Sequence, residues 1–165
     1  MGMVAEHIRM TPAELARSLR DPEWAEEFTD DLLDAELDAQ LDDAGPAEPR
    51  GYDTDKTWDA LRILLDRAAA VRPCPFLGGE PFGEVWSYDR PRALTPEQVR
   101  QLAGQLAEVP FDRLVAAYDA EALRSAYLGP WSPDDVAGLR EVYDRLVVHF
   151  ARAARHGDGM ILYLS

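Results

Sequence analysis

Cysteine, lysine and long apolar runs are all scarce in this chain, and each scarcity excludes something. The one cysteine, Cys74, rules out an internal disulfide framework. No apolar run exceeds a few residues, far short of the roughly 20 that a membrane-spanning helix needs. The opening MGMVAEHIRM has no basic segment leading into an apolar one, so no signal peptide is expected. Glu6 stands where a myristoylation motif starting at Gly2 requires Ser or Thr. The expected setting is therefore cytoplasmic and reducing. Internal repeats, low-complexity tracts and long linkers are absent too. The 165 residues then read as one domain, 1–165, large enough for a single substantial core.

Lysine is nearly missing. Of 17 basic residues, 16 are arginine and one is Lys56, a bias that fits a GC-rich bacterial genome. The exception matters because an ammonium is a flexible point charge with a movable pKa, whereas guanidinium is a rigid fork. Basic residues vanish altogether between Asp21 and Asp43, where eleven acids stand together. With a net charge of −14, that field repels phosphate backbones and anionic lipid. Nucleic acid and membrane surfaces are excluded as partners. A basic protein partner, or solubility alone, fits the Asp21–Asp43 face.

Periodicity supplies the elements. Val4–Met10 and Met160–Leu164 read as strands at the two ends of the chain. Thr11-Pro12-Ala13-Glu14, Thr95-Pro96-Glu97-Gln98 and Ser132-Pro133-Asp134-Asp135 are helix starts with a capping hydroxyl and Pro at the first helical position. Asp21-Pro22-Glu23 opens a helix with Trp24, Phe28, Leu32, Leu33, Leu37 and Leu41 as its apolar stripe, and Thr29-Asp30 as the candidate break. The next stripe is Trp58, Leu61, Leu64, Leu65 and Ala68, ended by Pro73 and Pro75. Val85–Tyr88 reads as a strand and Ala120–Ala126 as a short helix. The helix capped by Ser132 should run about 34 Å to Arg155, with Leu139, Val142, Tyr143, Leu146, Val147 and Phe150 inward. The fold class is α+β, mostly helices on a small sheet that takes strands from both chain ends.

Several ordered motifs carry a resemblance. They are MGM with Ile8-Arg9 and Thr11-Pro12, Asp55-Lys56-Thr57-Trp58-Asp59-Ala60-Leu61 with Leu64-Leu65, and Leu77-Gly78-Gly79-Glu80-Pro81 with Gly83. Arg92-Ala93-Leu94-Thr95-Pro96-Glu97-Gln98-Val99 and Ile161-Leu162-Tyr163-Leu164 complete the set. Nearly end to end, the chain resembles the YfbM-like family of bacterial proteins, a domain of unknown function. It departs from the family pattern in the acidic Glu26–Asp43 stretch, in Ser87-Tyr88-Asp89-Arg90 and in Tyr127–Trp131. The resemblance implies a compact α+β domain and no particular activity.

Motifs of known chemistry are hard to find. His7, His149 and His156 are far apart in sequence and none neighbours Cys74, so no metal site or cofactor is expected. Asp34-Ala35-Glu36-Leu37-Asp38 begins like a calcium loop, but Ala39 and Gly45 occupy the positions that require Gly and Glu. None of the five serines lies in a strained nucleophile turn. Gly78-Gly79 leads into Glu80, which would repel a phosphate, so the pair reads as a tight turn needing positive φ. What remains is a candidate cleft of mixed charge, backbone amide and aromatic character: Asp55, Lys56, Trp58, Gly78, Gly79, Glu80, Tyr88, Arg92 and Trp131. Trp58 doubles as the start of a core stripe, and Arg92 as a partner for Glu84 or Glu80. The sequence reads as a non-catalytic small-ligand or protein-interaction module. The alternative is a small metal-independent hydrolase or transferase with Glu80 or Asp55 as base and Lys56 as electrostatic helper.

Overall fold

A computed structural model describes residues 2–165. Its centre is the pairing of β1 (Ala5–Met10) with β5 (Gly159–Leu164), antiparallel over six residues from Ala5 opposite Leu164 to Met10 opposite Gly159. β2 (Gly51–Asp53) adds to the outer side of β1, β4 (Arg92–Leu94) to β5, and β3 (Glu80–Pro81) to β4. The order β2-β1-β5-β4-β3 is antiparallel throughout. Both terminal strands were legible because each is a short apolar run, and each satisfies the backbone of the other.

Strand alternation then divides the side chains between two cores. Ala5, Leu94, Met160, Leu162 and Leu164 face α3 (Trp58–Ala69), α4 (Pro96–Ala107), α5 (Phe111–Ala116) and α7 (Arg140–His156). Ile8, Met10, Ala93 and Ile161 face the other way, onto α1 (Pro12–Arg20), α2 (Pro22–Leu41) and Phe82. α1 and α4 start on capping boxes, Thr11 with Glu14 and Thr95 with Gln98, each with Pro at the first turn. A third box, Ser132 with Asp135, opens the short α6 (Pro133–Ala137).

Three expectations are corrected. The helix capped by Ser132 is not continuous: α6 and α7 are separated at Gly138–Leu139, where the Leu139 N–H reaches back three residues to Val136. That tighter turn brings Val136 and Leu139 into the core together. Ala120–Ala126 is a series of turns, because Asp119 Oδ1 takes the N–H groups of Glu121 and Ala122 and so diverts the backbone from helix. Val85–Tyr88 is not a strand but part of the bend joining β3 to β4. The Phe82 N–H already pairs with Pro91 O, and Trp86 N–H with Asp89 O, which closes the bend on itself. α2, by contrast, runs through Thr29-Asp30 unbroken.

The inward stripe of α7 is Tyr143, Leu146, Phe150 and Ala153, all at 1% exposure or less, with Val142 and Val147 at its margins. Leu146→Ala empties a site with no solvent access, and urea unfolding should show a loss of about 2–5 kcal/mol. A loss under about 1 kcal/mol would contradict that packing. Deleting 160–165 removes most of the sheet's central strand, so the truncated chain should lose its cooperative thermal transition; an unchanged melting temperature would refute the central role of β5.

Candidate functional site

The nine residues of the sequence-based cleft fall into two groups, one around the turn after β2 and one around β3 and β4. Asp55 and Lys56 form the turn after β2, Trp58 opens α3, and Trp131 bonds Tyr127, on which Trp58 stacks. Asp55 opens a 3-10 turn at φ 46° and its N–H is held by Asp53 Oδ1. Lys56 is exposed and makes no ion pair among the described residues. Trp58 is 6% exposed, donates Nε1–H to Met3 O at 3.2 Å and stacks on Tyr127. Trp131 is anchored by its Nε1–H on Tyr127 O. Both tryptophans are packing groups with one polar tether each.

The second group, Gly78, Gly79, Glu80, Tyr88 and Arg92, belongs to β3, β4 and the segments flanking them. Gly79 has φ 85°, and a Cβ there would collide with the Ala93 carbonyl, so the turn does require glycine. A Cβ on Gly78 would meet Cys74 O. Glu80 is exposed, and Tyr88 is 47% exposed with its N–H on Leu164 O. Arg92 reaches Asp89 at 3.8 Å, not Glu84 or Glu80, and its buried Nε has no partner. Four inter-strand steps of about 4.8 Å put β2 and β3 about 19 Å apart. Of the nine, only Asp55 lines the main cavity beside β2.

That cavity is a groove of about 1130 Å³ between the open edge of β2 and α7. Tyr52 and His149 form its floor, Gln40 of α2 and Pro49 one end, and Arg140, Glu141, Asp144, Arg145, Val148 and Arg152 the α7 wall. The Tyr52 hydroxyl donates to Val142 O at 2.7 Å, which ties the edge strand to α7. Burial pushes its phenol up to about 12. His149 donates Nε2–H to His7 O at 3.1 Å, and His7 donates its own Nε2–H to Pro75 O at 2.9 Å. Burial pulls His7 down to about 4. Burial, helped by His7 and Arg9, pulls His149 down to about 3. Both imidazoles are therefore neutral at pH 7, with the proton on Nε2. Two of the histidines that lie 142 positions apart in sequence thus sit one hydrogen bond apart in the fold. Beyond them, Arg9 and Asp158 form a buried pair at 3.0 Å, with side chains 6% and 8% exposed.

Electrostatically the groove is negative. Its three arginines already have carboxylates: Arg140 on Asp112, Arg145 on Glu141 and Arg152 near Glu48. Asp53, Asp55 and Asp144 have no cationic partner among the described residues. Sequence reasoning missed Tyr52, His149 and the α7 wall. The available signal was the i, i+4 row Glu141, Arg145 and His149 on the helix capped by Ser132. On the opposite face of β1, burial pushes the Glu6 carboxyl up to about 7 despite the Ser165 hydroxyl on its Oε1. No group of three or more His, Cys, Asp or Glu among the described residues is arranged to hold a metal ion, and no helix is long and apolar enough to cross a membrane.

An antiparallel five-stranded sheet centred on strands from both chain ends, with helices on both faces, defines this as an α+β domain with a broad groove at the β2 edge. The chain belongs to the family described as Domain of unknown function (DUF1877), whose model matches residues 1–163. Its fold is similar to that of YfbM from Escherichia coli, a protein of unknown function whose crystal structure superposes with a TM-score of 0.61 at 14% identity, over 99% of this chain and 100% of that one. No curated protein matches the sequence.

The buried groups set a pH dependence. In the unfolded chain the two histidines protonate near 6.5, but in the fold they stay neutral to about 4 and 3. Below pH 6.5 the unfolded state therefore binds two more protons there. Glu6 opposes this, because the fold protonates it near 7 and the unfolded chain only near 4.5. Between pH 6.5 and 4.5 the net difference is one proton, so stability should fall by about 1.4 kcal/mol per pH unit as pH drops. Glu6→Gln removes the opposing group and should about double that slope in urea titrations. A flat profile over this window would show that the histidines are not held neutral.

Proposed function

We propose that the protein is a non-catalytic interaction module that docks a basic segment of a partner protein on α2 and the adjoining β2–α7 groove. The observation behind this is the electrostatic state of α2. Among the described residues, none of its carboxylates makes an ion pair, although α1, α3, α4, α5 and α7 each pair at least one acid with arginine. Glu36 accepts two backbone N–H groups and Asp21 caps the helix, leaving the other acids of the stretch to repel one another in solvent. Leu37 and Leu41 stand among them at 55% and 76% exposure, so the distal half of the stripe has no core to cover it. A docked cationic segment would relieve the repulsion and shield both leucines.

The character of the groove favours a chain segment over a small ligand. Its volume of about 1130 Å³ exceeds the roughly 300–1,000 Å³ usual for small-molecule pockets. Seven of its 16 lining residues are charged, which suits a charged occupant. The hydrolase or transferase alternative gains less support. Glu80 and Lys56 lie toward opposite sheet edges, and the carboxyl shifted up to about 7 is Glu6, which bonds Ser165.

Docking by exposed charge is screened over about 10 Å at 0.1 M salt, which supplies the test. The variant Asp31→Asn, Asp34→Asn, Asp38→Asn, Asp42→Asn removes exposed charge from α2 and leaves Glu36 on its backbone donors. Wild type should capture basic proteins from the native host at low salt and release them at high salt, and the variant should not capture them. The same set of proteins on both forms would leave only a solubilising role for the acids.

A further inference from the structure

We infer that the open edge of β2 receives the docked segment as an added antiparallel strand, with the Asp53 N–H as its anchoring donor; this deepens the docking reading above and rests on it. The register of the β1–β2 pair shows which groups are available. Arg9 N–H bonds Arg50 O and Thr54 N–H bonds Ala5 O, while Tyr52 stands opposite His7 between them. Hydrogen-bonded and non-hydrogen-bonded pairs alternate along an antiparallel ladder. Gly51 and Asp53, opposite Ile8 and Glu6, therefore turn their N–H and C=O groups away from β1. The Gly51 N–H confirms this direction, since it lies 3.0 Å from Glu36 Oε2 on α2.

Glu36 thereby closes the start of the edge. Its two oxygens hold the N–H groups of Arg50 and Gly51, the way a carboxylate blunts a strand against stray pairing. Left facing the groove are the Asp53 N–H and the carbonyls of Gly51 and Asp53, with no partner among the described residues. An unpaired edge beside a helix wall is the geometry of strand addition, in which main-chain bonds give affinity and flanking side chains give selectivity. Charge selects the occupant. Asp53, Asp55 and Asp144 lack cationic partners in the groove, and the acids of α2 continue the field beyond Gln40. The fitting ligand is an extended, lysine- or arginine-bearing segment of a protein.

The probe is an acetylated, amidated ten-residue peptide alternating Lys and Thr, titrated by fluorescence anisotropy at low salt. Asp53→Pro keeps the β1 ladder, at a position where an edge strand tolerates proline, and removes the outward N–H together with the carboxylate that holds the Asp55 N–H. Asp53→Asn deletes the same charge and keeps both the donor and an Oδ1 for the Asp55 N–H, so the N-methylated peptide below is the comparison that isolates the main-chain bonds. Asp53→Pro should weaken binding more than tenfold and Asp53→Asn less than threefold. On wild type, the peptide N-methylated at alternate residues should also bind at least tenfold more weakly, a comparison that stands even if Asp53→Pro fails to fold. Equal binding of methylated and unmethylated peptides would overturn strand addition. If that binding still disappeared in the α2 variant, the acidic docking reading would survive alone. No binding of the Lys-Thr peptide to wild type would overturn both. Equal affinity for a Glu-Thr peptide would overturn the charge selection, and a dimer in sedimentation that Asp53→Pro dissociates would place a second copy on the edge instead.

Discussion

Everything in this fold hangs on two six-residue strands from opposite ends of the chain. β1 and β5 pair along their whole length, and each carries one further neighbour, β2 on β1 and β4 on β5. The pairing closes a loop of nearly the entire chain, an entropic cost that grows only slowly with loop length and is offset by the contacts on both faces of the sheet. It forms only because both strands are flanked on both faces by helices that bury Ile8, Met10, Ile161 and Leu162 completely. Sheet and helix layers therefore bury one another, and each terminal strand takes its backbone partners from the other.

Arg50 shows how that dependence extends to the edge. Its guanidinium donates to Arg9 O and pairs with Glu14, which also closes the capping box of α1. Burial raises the Glu14 carboxyl, but Arg50 and Thr11 outweigh it and hold it below the usual range. One side chain from the loop before β2 thus joins β1, α1 and the edge strand. Glu36 makes the complementary link from α2 to the same strand. The start of the β2 edge is held on two sides while Asp53 stays open, and that asymmetry gives the groove a direction.

The polar row beneath the sheet has a different consequence. Arg9, His7 and His149 are aligned along one face of β1 and α7, with the Arg9–Asp158 pair at one end and Tyr52 at the other. Buried groups of this kind contribute little net stability, yet breaking one partner is costly because the other stays desolvated. Their effect is to fix how α7 sits against β2. The groove's width follows from Tyr52 reaching Val142 O and His149 reaching His7 O.

Local chemistry, readable in the sequence, determined the capped helix starts at Thr11, Thr95 and Ser132, the end strands, the stripes of α3 and α7, and the glycine turn at Gly79. Each depends on neighbours within a few positions, so pattern suffices. The acidic helix was legible for the same reason, although the break expected near Thr29-Asp30 is absent and the far end of its stripe, Leu37 and Leu41, stays in solvent. Tertiary structure alone decided the rest. Val85–Tyr88 has strand composition but its backbone closes on itself, with the Trp86 N–H on Asp89 O, and Gly138–Leu139 tightens so that two side chains can enter one core. The nine-residue cleft divided because sequence order says nothing about strand order, which puts β2 and β3 at opposite edges. His7 and His149 met, and the β2 edge gained a wall, only when the two ends of the chain paired. Contacts between residues 90 and 142 positions apart leave no mark on local composition, and the candidate site is built from them.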